Sequence, residues 1–293
     1  MKKSILAISL ALSVIAGCNT GNKKAPTQTS IQFELTEIWR SDTLLTTSES
    51  VIYDRKRDVL YVTNLNMEPR VKDGNGFISR LSADGKIIDL KWIEGIHSPK
   101  GTGIIGDTLY AADIDELIIV DINNNKIARK VFIEGAGMLN DITTDAEGNV
   151  YISDSDANKI YLYSKGSITE WLSSGLNQPN GLLSETGRML LASMGSMDMV
   201  SIDPVSKSVT KLADSLGMAD GISYTGKEGY YIVTDWNGEI FMVNPDKTRT
   251  SLLNTKAQQL NTADCEYIAE KNLLLVPTFF KNGVIAYRLS EKK

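Results

Sequence analysis

Residues 140–172, NDITTDAEGNVYISDSDANKIYLYSKGSITEWL, divide into four short strands, NDITTD, VYISD, KIYLYS and SITEWL, with EGN, SDAN and KG between them. The strands alternate, and the Gly, Asn and Asp residues of the joins supply positive φ or capping hydrogen bonds. The stretch therefore predicts a four-stranded antiparallel sheet linked by tight turns. The same order returns at 220–253 as DGISYT, GKEG, YYIVTD, WNG, EIFMVN, PDK and TRTSLL. DAEGN at 145–149 shares the start of an EF-hand loop but lacks its remaining ligands and its bidentate Glu, so it reads as a hairpin turn.

Six positions share one phase in this pattern: Glu49, Lys100, Asn140, Asn180, Asp220 and Asp264, spaced 51, 40, 40, 40 and 44 residues apart. Each stands nine to eleven residues ahead of an apolar strand, LYVTN at 60, LYAAD at 109, VYISD at 150, LLAS at 190, YYIVTD at 230 and LLLVPT at 273. A period of about 40–50 residues built from short strands marks a β-propeller, and six repeats mean six blades. The expected fold is all-β, a six-bladed β-propeller of four-stranded antiparallel blades. The phase residues begin the innermost strands, so all six converge on the central channel. Five of them carry side-chain oxygens, the donors that hard cations such as Ca²⁺ prefer.

The last repeat has only three strands after Asp264, CEYIAE, NLLLVPT and GVIAYRL, while IQFELTEIW at 31–39 is a strand without a blade. Pairing 31–39 with 283–289 closes the ring and removes an open sheet edge. Pro277 in the last repeat fits a strand end or bulge.

Ahead of the repeats, Lys2 and Lys3 precede the apolar run ILAISLALSVIA at 5–16, which is too short to span a bilayer, and Ile15-Ala16-Gly17-Cys18 follows. This is a secretory signal over 1–17. Its end resembles the bacterial lipobox, which implies lipidation at Cys18, with residues 18–30 as a polar tether and 31–293 as the propeller. Each buried CH₂ of such an anchor contributes about 0.8 kcal/mol. The expected location is the bacterial cell envelope, with membrane contact through the lipid alone. Cys265 is the one other cysteine, so no disulfide framework is available. With 31 Lys+Arg against 36 Asp+Glu and no basic run, nucleic acid is not an expected partner. A monomer acting on a small-molecule substrate or ligand is expected.

Glu49 in SESVIYDRKRDVLYV, Asn140 in LNDITTDAEGNVYISD, Asn180 in QPNGLLSETGRMLLAS and Asp220 in MADGISYTGKEGYYIVTD resemble the motifs of one family of calcium-dependent six-bladed propeller hydrolases. This is the senescence marker protein 30/gluconolactonase group, with its relatives the paraoxonases and diisopropylfluorophosphatase. The resemblance runs over about residues 45–290. It implies a divalent cation, Ca²⁺ above all, held by Glu49, Asn180 and Asp220, with Asn140 as a further ligand or a substrate contact. It also implies hydrolysis of lactones or related esters. Taken singly, Asn-Gly and Asp-Gly pairs are also common turn elements, as in non-catalytic propellers with NHL-type repeats.

Lys100, in HSPKGTGI, departs from the paraoxonase branch, where a catalytic His is expected nearby. It either faces the channel, where it can stabilise an oxyanion or compete with the cation, or points to solvent. His97 is the only histidine, which excludes a His dyad or multi-His zinc site. Asp264 is then the candidate base for water activation, with a turn or a salt bridge to Lys100 as its structural alternative. Asp154 and Asp235 end second strands and read as turn caps. Met194, Met197, Met199 and Met218 either line an apolar substrate mouth or fill gaps between blades. Two functions remain open: an envelope-anchored calcium-dependent hydrolase with Lys100 and Asp264 catalytic, and a non-catalytic propeller that binds a ligand or protein at its channel mouth.

Overall fold

The computed structural model of the protein describes residues 31–292, so the signal, Cys18 and the tether lie outside the described residues. The described chain forms six four-stranded sheets. Blade one is β2 (Ser48–Asp54) to β5 (Ile87–Ile96), blade two β6 (Pro99–Ile105) to β9 (Lys126–Phe132), and blade three β10 (Leu139–Thr144) to β13 (Ser167–Leu172). Blade four is β14 (Pro179–Glu185) to β17 (Val209–Ala213), and blade five β18 (Ala219–Tyr224) to β21 (Arg249–Asn254). Blade six takes β22 (Glu266–Ile268), β23 (Leu273–Pro277) and β24 (Val284–Glu291) from the C-terminal end, and its outer strand is β1, Phe33–Arg40.

The expected closure is therefore present. β1 runs antiparallel to β24 from Phe33↔Glu291 to Arg40↔Ile285, and Phe33 stacks edge-on to Tyr230 of blade five. Burial follows the radial position of each strand. The inner strands are almost wholly buried, whereas the outer β9, β13 and β17 are mostly exposed. Six apolar clusters fill the six gaps between neighbouring blades, the last of them joining blade six to blade one through residues such as Leu275, Ala286, Val51 and Leu60. The core of this fold is thus a ring of inter-blade layers around an axis, and the axis is left to polar residues.

Candidate functional site

Five of the six phase residues sit at a β-bulge. In blade one the register passes from Ser48↔Asn64 to Val51↔Val62, so Glu49 and Ser50 together oppose Thr63 alone. The same shift places Lys100-Gly101, Asn140-Asp141, Asn180-Gly181 and Asp220-Gly221 two against one. Such a bulge bends the strand and re-aims a side chain, and here it turns the first residue of each pair to the channel mouth. Three bulges are held by a hydroxyl on the facing strand: Ser50 N–H donates to Thr63 Oγ1 at 2.9 Å, Asp141 N–H to Ser153 Oγ at 2.8 Å, and Gly221 N–H to Thr234 Oγ1 at 2.8 Å.

The Asn-Gly and Asp-Gly pairs are strand bulges rather than turns, and their glycines answer a packing need. A Cβ on Gly181 would lie 2.0 Å from the carbonyl oxygen of Asp220 in the next blade, and one on Gly101 would lie 2.3 Å from Asp141 Oδ1. The strand-end aspartates are clamps. Asp113 accepts the N–H groups of His97 and Ser98, and Asp154 those of Gly137 and Met138, which fixes the approach of each inner strand to the axis.

Glu49, Lys100, Asn140, Asn180 and Asp220 line one cavity of about 300 Å³ at the channel mouth. Asn180 Nδ2 donates to Asp220 Oδ1 at 2.8 Å, and Asn140 Nδ2 to Ser155 Oγ at 2.9 Å. With its nitrogen engaged, each amide offers its carbonyl oxygen to a ligand. Glu49 is buried, and its Oε2 has no hydrogen-bond partner. Lys100 does not reach solvent: it is 3% exposed, and its Nζ donates to the carbonyls of Pro69 at 3.0 Å and Ser98 at 3.1 Å. Among the described residues it forms no ion pair, with Asp264 or any other carboxylate.

Asp264 stands just ahead of β22 in blade six, and its carboxylate turns down the channel. It accepts Ser50 Oγ at 2.7 Å and its neighbour's N–H, from Cys265, at 2.7 Å. There it lines a second cavity of about 390 Å³ toward the far ends of the inner strands, together with Asp141. The repeat does not mark Asp141, because it follows a phase residue where three other blades carry Gly. Its carboxylate accepts Leu182 N–H of the next blade at 2.6 Å and Ile142 N–H at 2.7 Å. The signal that could have found it is the Ser or Thr at the penultimate position of VYISD, LYVTN and YYIVTD, which marks the bulge.

Four acidic groups thus share a channel with one ammonium. Burial raises Glu49 well above the usual carboxylate range, Asp220 and Asp264 push it further, and Lys100 opposes them. Asp220 and Asp141 are raised by burial and then by Asp264. Burial lifts Asp264 itself to about 6, against the hydrogen bonds from Ser50 and Cys265. Burial lowers Lys100 to about 8, with Glu49 the main opposing influence. A carboxyl whose pKa is higher folded than unfolded binds more protons in the native state between those two values, so stability declines as pH rises through that window. With divalent cations chelated, the melting temperature is expected to fall from pH 5 to pH 7.5. A chelated protein that melts higher at pH 7.5 than at pH 5 would contradict this electrostatic account.

His97, Asp113 and Glu116 also come within 4.8 Å of one another at the rim of blade two. His97 Nδ1, however, accepts Gly74 N–H at 3.0 Å. The lone pair of that nitrogen is therefore engaged by the backbone.

Of the methionines, Met194 and Met218 line the mouth and Met199 is buried between blades four and five. Cys265 is a buried free thiol. No known protein-family pattern matches the chain, and no curated protein matches it. Solved structures do. A chain of a nidogen/laminin complex is similar at TM-score 0.63 with 17% identity, over 76% of this chain and 85% of that one. A catalytically inactive virginiamycin B lyase from Staphylococcus aureus, solved with quinupristin, is similar at TM-score 0.61 with 12% identity, over 88% of this chain and 99% of that one. At these identities the likeness is one of fold.

Proposed function

We propose that the protein is a metal-dependent hydrolase of lactones or related esters, with its reaction centre at the channel mouth. One observation carries this reading: the unpartnered buried oxygen of Glu49 faces the same cavity as Asp220 and two amides whose nitrogens are engaged elsewhere. Carboxylate and amide oxygens are the donor set of Ca²⁺, and a cation would oppose both the burial and the like-charge repulsion that raise these acids. Glu49, Asn180 and Asp220 would hold it, with Asn140 on the substrate side. Bound there, Ca²⁺ would polarise the ester carbonyl.

The rest falls to the chain's own groups. Lys100, already fixed by two carbonyls, is placed to donate to the oxygen that gains charge as water adds. Asp264, whose carboxylate lies in the chamber beyond the mouth but close enough to Glu49 and Asp220 to raise both, would take the water proton from that side. A new C–O bond forms to water oxygen, the acyl C–O bond breaks, and the proton passes to the leaving alkoxide to give a hydroxy acid from a lactone. A lyase shares the propeller fold, but its inactive form is a His→Ala variant, and the sole histidine here is bound to the Gly74 backbone. No lyase chemistry is carried over on that account.

Titration calorimetry with Ca²⁺, followed by a panel of lactones and esters with Asp264→Asn, tests the reading. Binding together with a loss of turnover of about 10²-fold in the variant is expected. The buried Lys100 favours a second reading, in which the ammonium stands in for the cation and the mouth only binds. Calcium affinity that appears in Lys100→Ala and is lacking in the wild type would establish that alternative. The hydrolase would act at the cell envelope, tethered through a lipidated Cys18. Cys18→Ser is expected to release unlipidated soluble protein, and an envelope-derived wild type without acyl mass would refute the anchor.

A further inference from the structure

The walls of the mouth cavity differ sharply from its floor. On one side stand Trp236, Phe279 and Phe280, packed edge to face with ring centroids 4.7 to 5.9 Å apart, and Phe280 is 59% exposed. Met138, Met194 and Met218 continue this surface. Their placement is built: the N–H groups of Met138 and Met218 are held by the clamps Asp154 and Asp235, and Met194 N–H by the Gln178 carbonyl. On the other side, the segment between β3 (Val59–Asn64) and β4 (Gly76–Ser82) brings Arg70 to the cavity, where it pairs with Asp156 of blade three. Lys100 binds the same segment at Pro69. The mouth is therefore apolar from blade three round to blade six, and its two cations, Arg70 and Lys100, come from blades one and two.

Resting on the hydrolase reading only for the nature of its head group, we propose that the natural ligand is an apolar-bodied carbonyl compound, an aryl or alkyl lactone or ester, and not a polyhydroxylated sugar lactone. Each buried sugar hydroxyl needs a hydrogen-bond partner, and leaving one unmade costs about 1–3 kcal/mol. Methionine and phenylalanine side chains offer no donor and at most a weak acceptor. Conversely, an aromatic or alkyl body covers exposed rings and thioethers that water solvates poorly, and methionine adapts its shape to varied apolar groups. The carbonyl end then lies over Glu49, Asp220 and Lys100. A cavity of about 300 Å³ holds a small molecule of this kind.

The test uses purified protein with Ca²⁺ and two readouts. Turnover is compared between γ-alkyl lactones or phenyl esters and gluconolactone, with kcat/KM expected at least about 10-fold higher for the apolar set. Binding of a non-hydrolysable alkyl lactam is followed by calorimetry. Phe280→Ser and Met194→Ser, both at partly or largely exposed sites, should each weaken lactam binding about 5-fold or more without altering the Ca²⁺-induced melting shift. Lactam binding without turnover of any substrate would remove the hydrolase reading and leave the ligand class standing. Preferential turnover of gluconolactone, lactam affinity unchanged in both variants, or no lactam binding would overturn the ligand class.

Discussion

A chain beginning at Ser41 is expected to lose its monomeric folded state. Residues 33–40 supply the whole outer strand of blade six, and their removal strips the ladder from Phe33↔Glu291 to Arg40↔Ile285. Phe33 is 5% exposed within the apolar layer between blades five and six, and deleting a buried Phe alone costs about 3–5 kcal/mol. That is comparable to the net stability of many domains. The exposed partner, VIAYRLSE at 284–291, would then be a long apolar edge and a template for intermolecular pairing. Size-exclusion chromatography should show aggregates, and any monomer should melt more than about 10 °C below a chain beginning at Ile31. Coincident melting curves would mean that the ring is held by blade packing without β1.

Glu49→Gln and Asp220→Asn are expected to show a two-sided signature. In chelator each variant should melt higher than the wild type, because one of several buried acids raised by burial and mutual repulsion has become neutral. In millimolar Ca²⁺ the wild type should gain stability, by about 2.7 kcal/mol at one hundred times its dissociation constant, and the variants should gain little. Turnover should fall by about 10³-fold in either variant, since loss of an ion that polarises the carbonyl removes several kcal/mol of transition-state stabilisation. Variants that lose stability in chelator would show that these carboxylates are structural hydrogen-bonding groups. A wild type indifferent to both Ca²⁺ and chelator would remove the metal from the site.

The amino-acid sequence by itself determined the blade count, the strand order and the closing strand. Period and alternation are local properties, and each blade buries its apolar residues against a neighbour built to the same pattern. It also determined which residues meet on the axis, because equal phase in a closed ring means equal position. Tertiary structure alone decided where those side chains aim. Asp264 shares the phase of Asp220, yet it turns away because Ser50 Oγ from the adjoining blade and the N–H of Cys265 hold it there. Lys100 is held inward by Pro69, on a segment between strands of blade one that no repeat predicts. Asp141 becomes a channel acid through the bulge and through Leu182 of the next blade. Contacts between blades are long-range, and where a channel side chain points depends on partners far along the chain: Pro69 is 31 residues from Lys100, Leu182 is 41 from Asp141 and Ser50 is 214 from Asp264. The repeat places each residue on the axis, and the neighbouring blade chooses its direction.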